Sequence, residues 1–383
     1  MACKYIGFPS IKKTFLSFFA EFPFFDVLCC MNAPTSTTEI RNNLRLWYLQ
    51  HRRPLPWRED NDPYRVWLSE IILQQTRVAQ GASYFEKIVQ AYPDVIRLAN
   101  APIDELLKHW QGLGYYSRAR NLHETARTIR DQYNGVFPAD YRQILALKGV
   151  GSYTAAAIAS IAFNQAKAVL DGNVYRVLSR LYADSTPIKT SSGQKHFQRL
   201  ADALLDTTEP GLHNQAVMDF GAMQCTPNQP DCTNCTLSMY CQAHQTNQAT
   251  QFPVTIQPKP KRNRFFLYFL IEHNKEILVQ QRGASDVWQG LWDFVHIETA
   301  QHPVDSFDSI TQLESFASGP FVIHNTYQRK QTLSHQVIHA QFIRCSCTYK
   351  KQIASNQQWI PLDALHRLPV PVLIDCAIRH FYT

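Results

Sequence analysis

The sequence predicts a two-domain protein, all-α through its first half and α+β through its second, on three observations. A chain of 383 residues is long for one hydrophobic core and sufficient for two. From Ser36 to Cys241 apolar residues recur at helical spacing between short turns, whereas beyond residue 265 they fall in short, partly alternating segments. Residues 242–264 between them are dominated by Gln, Thr, Asn and Pro and end in a basic run, Lys259, Lys261, Arg262 and Arg264. That composition cannot bury a core and reads as an extended linker. The expected units are therefore an N-terminal extension (1–35), a helical domain (36–241), the linker (242–264) and a second domain (265–383).

The bulk composition, 45% hydrophobic and 18% charged, is that of a soluble globular protein and excludes a disordered or fibrous chain. A formal net charge of +7 is compatible with a polyanionic partner without requiring one. Phe-rich residues 15–30 follow Lys12 and Lys13 in the manner of a signal segment, but Glu21, Pro23 and Asp26 interrupt them and no small-residue cleavage site follows. The run is too broken to span a bilayer, so no membrane association is expected. The extension is expected to be disordered, with Met31 as a candidate start. Four of ten cysteines sit at ligand spacing, which favours a reducing compartment, the cytoplasm.

The elements follow in chain order. Ser36 with Glu39 reads as a capping box opening the first helix. Asp62 as N-cap and Pro63 at the first helical position start another, expected to run to about Ala79. Gly112 and Gly114 end a helix near Trp110, and Lys148-Gly149-Val150-Gly151 separates two more, the second carrying the Ala-rich residues 154–163. Asp171 is expected just ahead of a helix. In the second half, residues 265–271 and 277–281 flank His273-Asn274-Lys275, a hairpin signal. Apolar segments near Phe321 and at 337–342 read as further strands, and two short helical patterns close the chain.

Four pieces carry chemistry. Glu70 lies in Leu68-Ser69-Glu70-Ile71-Ile72-Leu73-Gln74-Gln75-Thr76, at or beside a stripe of Leu68, Ile71, Ile72 and Val78 that should face the core. Alone, a helical glutamate is more often solvated than catalytic. The Gly149-Val150-Gly151 turn lets backbone approach a phosphate and aim N–H groups from a helix start, although such turns are also plain connectors. Asp171, in Leu170-Asp171-Gly172-Asn173-Val174, would be kept ionised by the dipole of the helix it precedes. Cys225, Cys232, Cys235 and Cys241 are spaced C-x6-C-x2-C-x5-C. A structural zinc site usually pairs two C-x2-C knuckles, whereas one such pair flanked by single cysteines suits an iron–sulfur loop.

In this order and spacing, Glu70 with its Leu-Gln-Gln-Thr, residues 112–121, the Gly149–Gly151 turn, Leu170–Asn173 and the four cysteines resemble the MutY-type adenine DNA glycosylases. These belong to the helix–hairpin–helix, endonuclease III/MutY superfamily, and the similarity covers roughly residues 36–380. The resemblance implies a [4Fe–4S] cluster on the four cysteines, organising a DNA-binding loop with nearby polar and basic residues. It implies a monomer acting on double-stranded DNA in which adenine stands opposite 8-oxoguanine or G. Glu70 would protonate the adenine, Asp171 would stabilise the sugar cation, and Tyr153 and Asn173 would orient them. Gln75 and Tyr115 would wedge into the duplex. Gly149 and Gly151 would contact phosphates, and Arg118 and Arg120, with Arg52 and Arg53, are candidates either for phosphate contacts or for ordinary surface arginines.

Two positions refine the reading. Lyase relatives resembling endonuclease III carry a lysine where this chain has Tyr153, and a phenol cannot form a Schiff base, so a monofunctional glycosylase is expected. Residues 265–383 resemble the family's Nudix-like lesion-recognition domain but lack the R-E-x-x-E-E metal helix, so they should bind rather than hydrolyse. Leu333-Ser334-His335 matches the family's F-S-H loop, with Leu333 in place of the aromatic and Ser334 and His335 left to bond the altered base. Cys345 and Cys347 read as packing residues. The alternatives are a bifunctional pyrimidine- or thymine-directed glycosylase and AP lyase, or a noncatalytic lesion-binding iron–sulfur protein.

Overall fold

A computed structural model describes residues 33–256, 260–284, 286–300, 313–314, 316–351 and 353–383. The expected signal-like segment and the alternative start at Met31 lie outside the described residues. Helix α1 (Ala33–His51) already contains Ser36 and Glu39, so Ser36 is inside the helix rather than its cap. Helix α2 (Pro63–Leu73) opens as expected, the Asp62 carboxylate accepting from the Tyr64 amide at 2.8 Å. It stops at Leu73, short of Ala79, and α3 (Val78–Ala91) follows after a turn. The break has a physical cause. Gln75 takes a left-handed φ of 59°, and buried Arg118 donates to the carbonyls of Ile71, Ile72 and Gln74 at 2.6, 2.8 and 2.6 Å. Those carbonyls are thereby satisfied without a further helical turn.

Helices α4 (Val95–Asn100), α5 (Ile103–Trp110), α6 (Ser117–Gln132) and α7 (Tyr141–Ala146) pack with α2 and α3 around Trp67, Phe85, Trp110 and Leu122. Helices α9 (Gly172–Leu181), α10 (Ser191–Leu204) and α11 (Pro210–Met223) pack with α1 around Leu44, Trp47, Phe197 and Phe220. The Ala-rich α8 (Ser152–Phe163) joins the two clusters. Ala155, Ile158 and Ala159 belong to the first, Ala156 and Ala157 to the second, and methyl side chains let helices close in from both sides.

The second half is a six-stranded sheet in the order β4-β5-β1-β3-β2-β6. The strands are β1 (Arg262–His273), β2 (Glu276–Gln281), β3 (Trp292–Thr299), β4 (Ala317–Thr332), β5 (Gln336–Lys350) and β6 (Gln357–Pro361). Strands β1 and β5 run parallel, and the other pairings are antiparallel. The β1–β2 hairpin turns at Asn274 and Lys275, both left-handed, as the sequence suggests. Helix α13 (Val372–Tyr382) packs its Leu373, Ile374, Ala377 and Ile378 against one face. Cys345 and Cys347 are buried on the other.

The linker departs from its reading at both ends. Residues after Cys241 form a short helix, α12 (Gln242–Gln245), Phe252 is buried, and the Ile188 amide donates to the Val254 carbonyl at 3.2 Å. At the other end β1 starts at Arg262, and Arg264 is buried between Asp286 and Glu298, with bonds of 2.6 and 2.7 Å. The halves also touch directly. Leu291, from the loop before β3, is fully buried in the first helical cluster, and Arg120 donates to the Gln289 carbonyl at 2.6 Å. Lys108 donates to the Leu368 carbonyl at 3.1 Å and Gln111 to Asp375 at 3.1 Å.

Candidate active site

Glu70, Tyr153, Asp171 and Asn173 converge on one cleft of about 420 Å³ in the helical half, together with Arg58, Gln75, Gln215 and Met218. The stripe of α2 turns Glu70 inward, leaving it 9% exposed. Burial pushes its carboxyl up to about 7, with Asp171 adding to the rise, while contact with the Tyr153 hydroxyl and the Arg58 charge oppose it. The same phenol donates to Met218 Sδ at 3.4 Å, and burial beside two acids holds it well above the usual tyrosine range.

Asp171 is the N-cap of α9. Its carboxylate accepts from the Asn173 and Val174 amides at 2.9 and 2.7 Å and from Asn173 Nδ2 at 2.8 Å. Burial raises this carboxyl too, a factor the helix-start reading omitted, but these three bonds act to keep it ionised. The two carboxyls therefore sit in unlike settings, one met by a single phenol and the other by three donors. Arg176 Nη2 donates to Asn173 Oδ1 at 2.8 Å and fixes the amide orientation. Gly221 permits the close approach of α11 here, since a Cβ on it would lie 2.7 Å from that of Asn173.

One constellation escaped the sequence. Asp219, fully buried, accepts from Arg58 at 2.7 Å and from Arg53 Nε at 3.1 Å, and both arginines line the cleft. Arg53 is thus bound internally rather than free for phosphate, while Arg52 remains exposed. The only signal was the density of arginines around Trp57; nothing local ties residue 58 to residue 219.

Arg118 and Arg120 need the same correction. Arg118 is 8% exposed, bound to the turn carbonyls and packed over the Trp110 and Tyr115 rings, and Arg120 is engaged with Gln289. Both hold structure rather than present charge. The glycine turn keeps its expected geometry. Gly149 has φ +76° and sits too close to Asn121 for a Cβ, while Gly151 opens α8 with nothing within 4 Å of where a Cβ would be.

Gln75 and Tyr115 are exposed on left-handed backbone, φ 59° and 48°, and both line a second cleft of about 710 Å³ between the halves. Leu333, Ser334 and His335 form the β4–β5 turn on its opposite wall, and the Tyr115 and Ser334 hydroxyls are hydrogen-bonded. Gln75 lines both clefts.

The four cysteines line one small cavity beside α9. Arg180 Nη1 reaches the Cys225 sulfur at 3.3 Å, and Arg176 Nε donates to the Cys225 carbonyl at 2.7 Å. Burial and the neighbouring thiols push Cys232, Cys235 and Cys241 up, Cys235 to about 11. Such a group ionises only against a strong positive centre, so the donor set fits a metal. Among the described residues no three His, Cys, Asp or Glu side chains are placed to hold a single ion. Residues 225–241 contain no Lys or Arg, and Arg176 and Arg180 beside the loop donate to its carbonyls.

Residues 68–202 match the model of the HhH-GPD superfamily of base excision DNA repair proteins, and residues 267–380 match a NUDIX domain. The adenine DNA glycosylase of Buchnera aphidicola subsp. Baizongia pistaciae is 35% identical over 256 residues, spanning 65% of this chain and 71% of that protein. The chain belongs to the adenine DNA glycosylase family. The rat adenine DNA glycosylase is 45% identical over 218 residues, 54% of this chain and 42% of the rat protein. A thermostable thymine-DNA glycosylase is similar in structure, with a TM-score of 0.51, 28% identity and coverage of 55% of this chain and 98% of that one. The helical half of this adenine DNA glycosylase family member is thus the base-excision glycosylase fold, and the sheet is the NUDIX-like domain. No helix among the described residues is long and apolar enough to cross a membrane.

Proposed function

We propose that this glycosylase excises adenine standing opposite 8-oxoguanine, or opposite G, in duplex DNA, as a monofunctional enzyme. The observation that carries the reading is the placement of Glu70 and Asp171 in one cleft with unlike surroundings, the first lifted to about 7 and the second held by three donors. Adenine leaves poorly as an anion. Glu70, protonated near neutrality, gives a proton to the flipped base, most favourably at N7. The sugar cation left behind is met by the Asp171 carboxylate, electrostatically or through a transient adduct, and water completes hydrolysis. Asn173 and Tyr153 orient the two acids.

Gln75 and Tyr115 fill the space the base vacates, and the Gly149–Gly151 turn takes a phosphate. Ser334 and His335 read the opposite base from the interdomain cleft. Cys225, Cys232, Cys235 and Cys241 would hold a [4Fe–4S] cluster, which would tie their loop together beside α9. The enzyme acts as a monomer, in the cytoplasm with the DNA.

The lyase alternative is disfavoured because Tyr153 cannot form a Schiff base and, among the described residues, no lysine lines the catalytic cleft. A single-turnover assay on duplexes carrying A opposite 8-oxoguanine, A opposite G, and T opposite G, with and without alkali, tests the reading. Adenine release with strand breaks only after alkali is expected. Alkali-independent breaks, or thymine release in place of adenine, would overturn it, and binding without release would leave a lesion-binding protein.

A further inference from the structure

The basic run at the end of the linker is divided by the structure into three fates. Arg264 turns inward to Asp286 and Glu298. Arg262 is exposed and only 3.8 Å from Glu298. Lys261, also exposed, lines the interdomain cleft on the same wall as the turn, where its Nζ donates to the Leu333 carbonyl at 2.8 Å. The next residue continues the contact through backbone, the Arg262 amide donating to the His335 carbonyl at 3.1 Å. The turn closes on itself with a 2.8 Å bond from the Leu333 amide to the Gln336 carbonyl.

The partly buried Leu333 side chain packs against the apolar cluster that includes Phe266, Tyr268 and Ile338 and also lines the cleft, so it anchors the turn by an aliphatic contact where the family pattern has a ring. Its carbonyl accepts from Lys261 Nζ. Between these two anchors Ser334 and His335 are exposed, and the Ser334 hydroxyl meets that of Tyr115. A three-residue turn without the lysine keeps its apolar anchor but loses the side-chain bond that fixes the Leu333 peptide plane.

We propose that Lys261 is a specificity-determining positioning residue: through the Leu333 carbonyl it sets the pose of Ser334 and His335 against Tyr115. The inference rests on the reading of the Leu333–His335 turn as the part that meets the base opposite adenine. It assigns Lys261 to lesion discrimination and not to chemistry, since the lysine does not line the catalytic cleft.

Equilibrium binding and single-turnover excision by the full chain, measured on duplexes with A opposite 8-oxoguanine and A opposite G, test it with Lys261→Met and Lys261→Arg. Lys261→Met keeps the stem and loses the donor. It should lower the preference for the 8-oxoguanine duplex about three- to ten-fold. Excision at saturating enzyme should be unchanged, and Lys261→Arg should restore most of the preference. Equal weakening on both duplexes, with a salt dependence shallower by about one charge, would make Lys261 an ordinary phosphate contact and overturn the proposal. So would an unchanged preference in Lys261→Met. If the unsubstituted protein itself shows no preference for 8-oxoguanine, the lesion-reading turn fails and Lys261 falls with it, an outcome distinct from both others.

Discussion

The two clefts that share Gln75 are built on opposite principles. The catalytic cleft places ionisable groups where burial governs them: Glu70 is lifted to about 7, and Asp219 is fully enclosed between two arginines. The interdomain cleft uses exposed groups, Tyr115, Ser334, His335 and Lys261, held in pose by backbone and by hydrogen bonds. Proton transfer needs a low-dielectric setting to shift an acid toward neutrality, whereas reading a base edge needs donors and acceptors held still but still wet. Substitutions should therefore act on rate in the first cleft and on discrimination in the second.

Glu70→Gln separates them most sharply. It should lower single-turnover adenine release by about 10²–10⁴-fold while leaving binding to the mispaired duplex nearly intact. Parallel loss of binding would show that Glu70 shapes the cleft rather than donating the proton. The unsubstituted enzyme gives the companion result. The competent acid is the protonated one, and its carboxyl is raised to about 7, so excision should be sustained below pH 7 and decline as pH rises through that value. A flat profile from pH 6 to 8 would count against a Glu70-limited step.

Asp219→Ala comes next. It leaves Arg58 and Arg53 beside the cleft without their common partner, and a loss of about 3 kcal/mol in unfolding free energy is expected, with slowed excision. Denaturant unfolding and single-turnover rates measured on one preparation check both. Leu291→Ala removes the side chain that the sheet domain buries in the helical cluster, and should cost about 2–4 kcal/mol of whole-chain stability. If only the sheet domain loosens, 8-oxoguanine preference should fall before excision opposite G does. Ser334→Ala is the smallest change, expected to reduce that preference by about three- to ten-fold with excision opposite G unchanged. An equal effect on both duplexes would merge the two clefts into one function.

Much of the fold was legible because its signals are local. Asp62 capping α2, the Gly149–Gly151 turn, Asp171 ahead of α9 and the Asn274–Lys275 turn each depend on a few consecutive residues, and each appears where expected. Boundaries governed by distant partners were missed. Residues 74–77 carry no breaker, so α2 looked longer than it is; Arg118, more than forty residues away, supplies the donors that end it. The first part of the linker looked unable to bury anything, yet Phe252 docks on the helical half, with Arg180 donating to its carbonyl at 3.2 Å.

The arginines mark the limit most clearly. In sequence, Arg53, Arg118 and Arg120 are equivalent basic residues, each a candidate for a phosphate or for the plain surface, and Arg58 carries no signal of its own. Their actual partners are a buried carboxylate, turn carbonyls and a loop of the other domain. The sequence alone determined the family, the chemical kinds of its side chains and the motifs they sit in, because those depend on residue type and short spacing. Which charges are neutralised inside, which acid is lifted toward neutrality, and how Lys261 meets the Leu333 turn were decided by tertiary structure alone. Desolvation and hydrogen bonding act between groups brought together by the fold, whatever their separation along the chain.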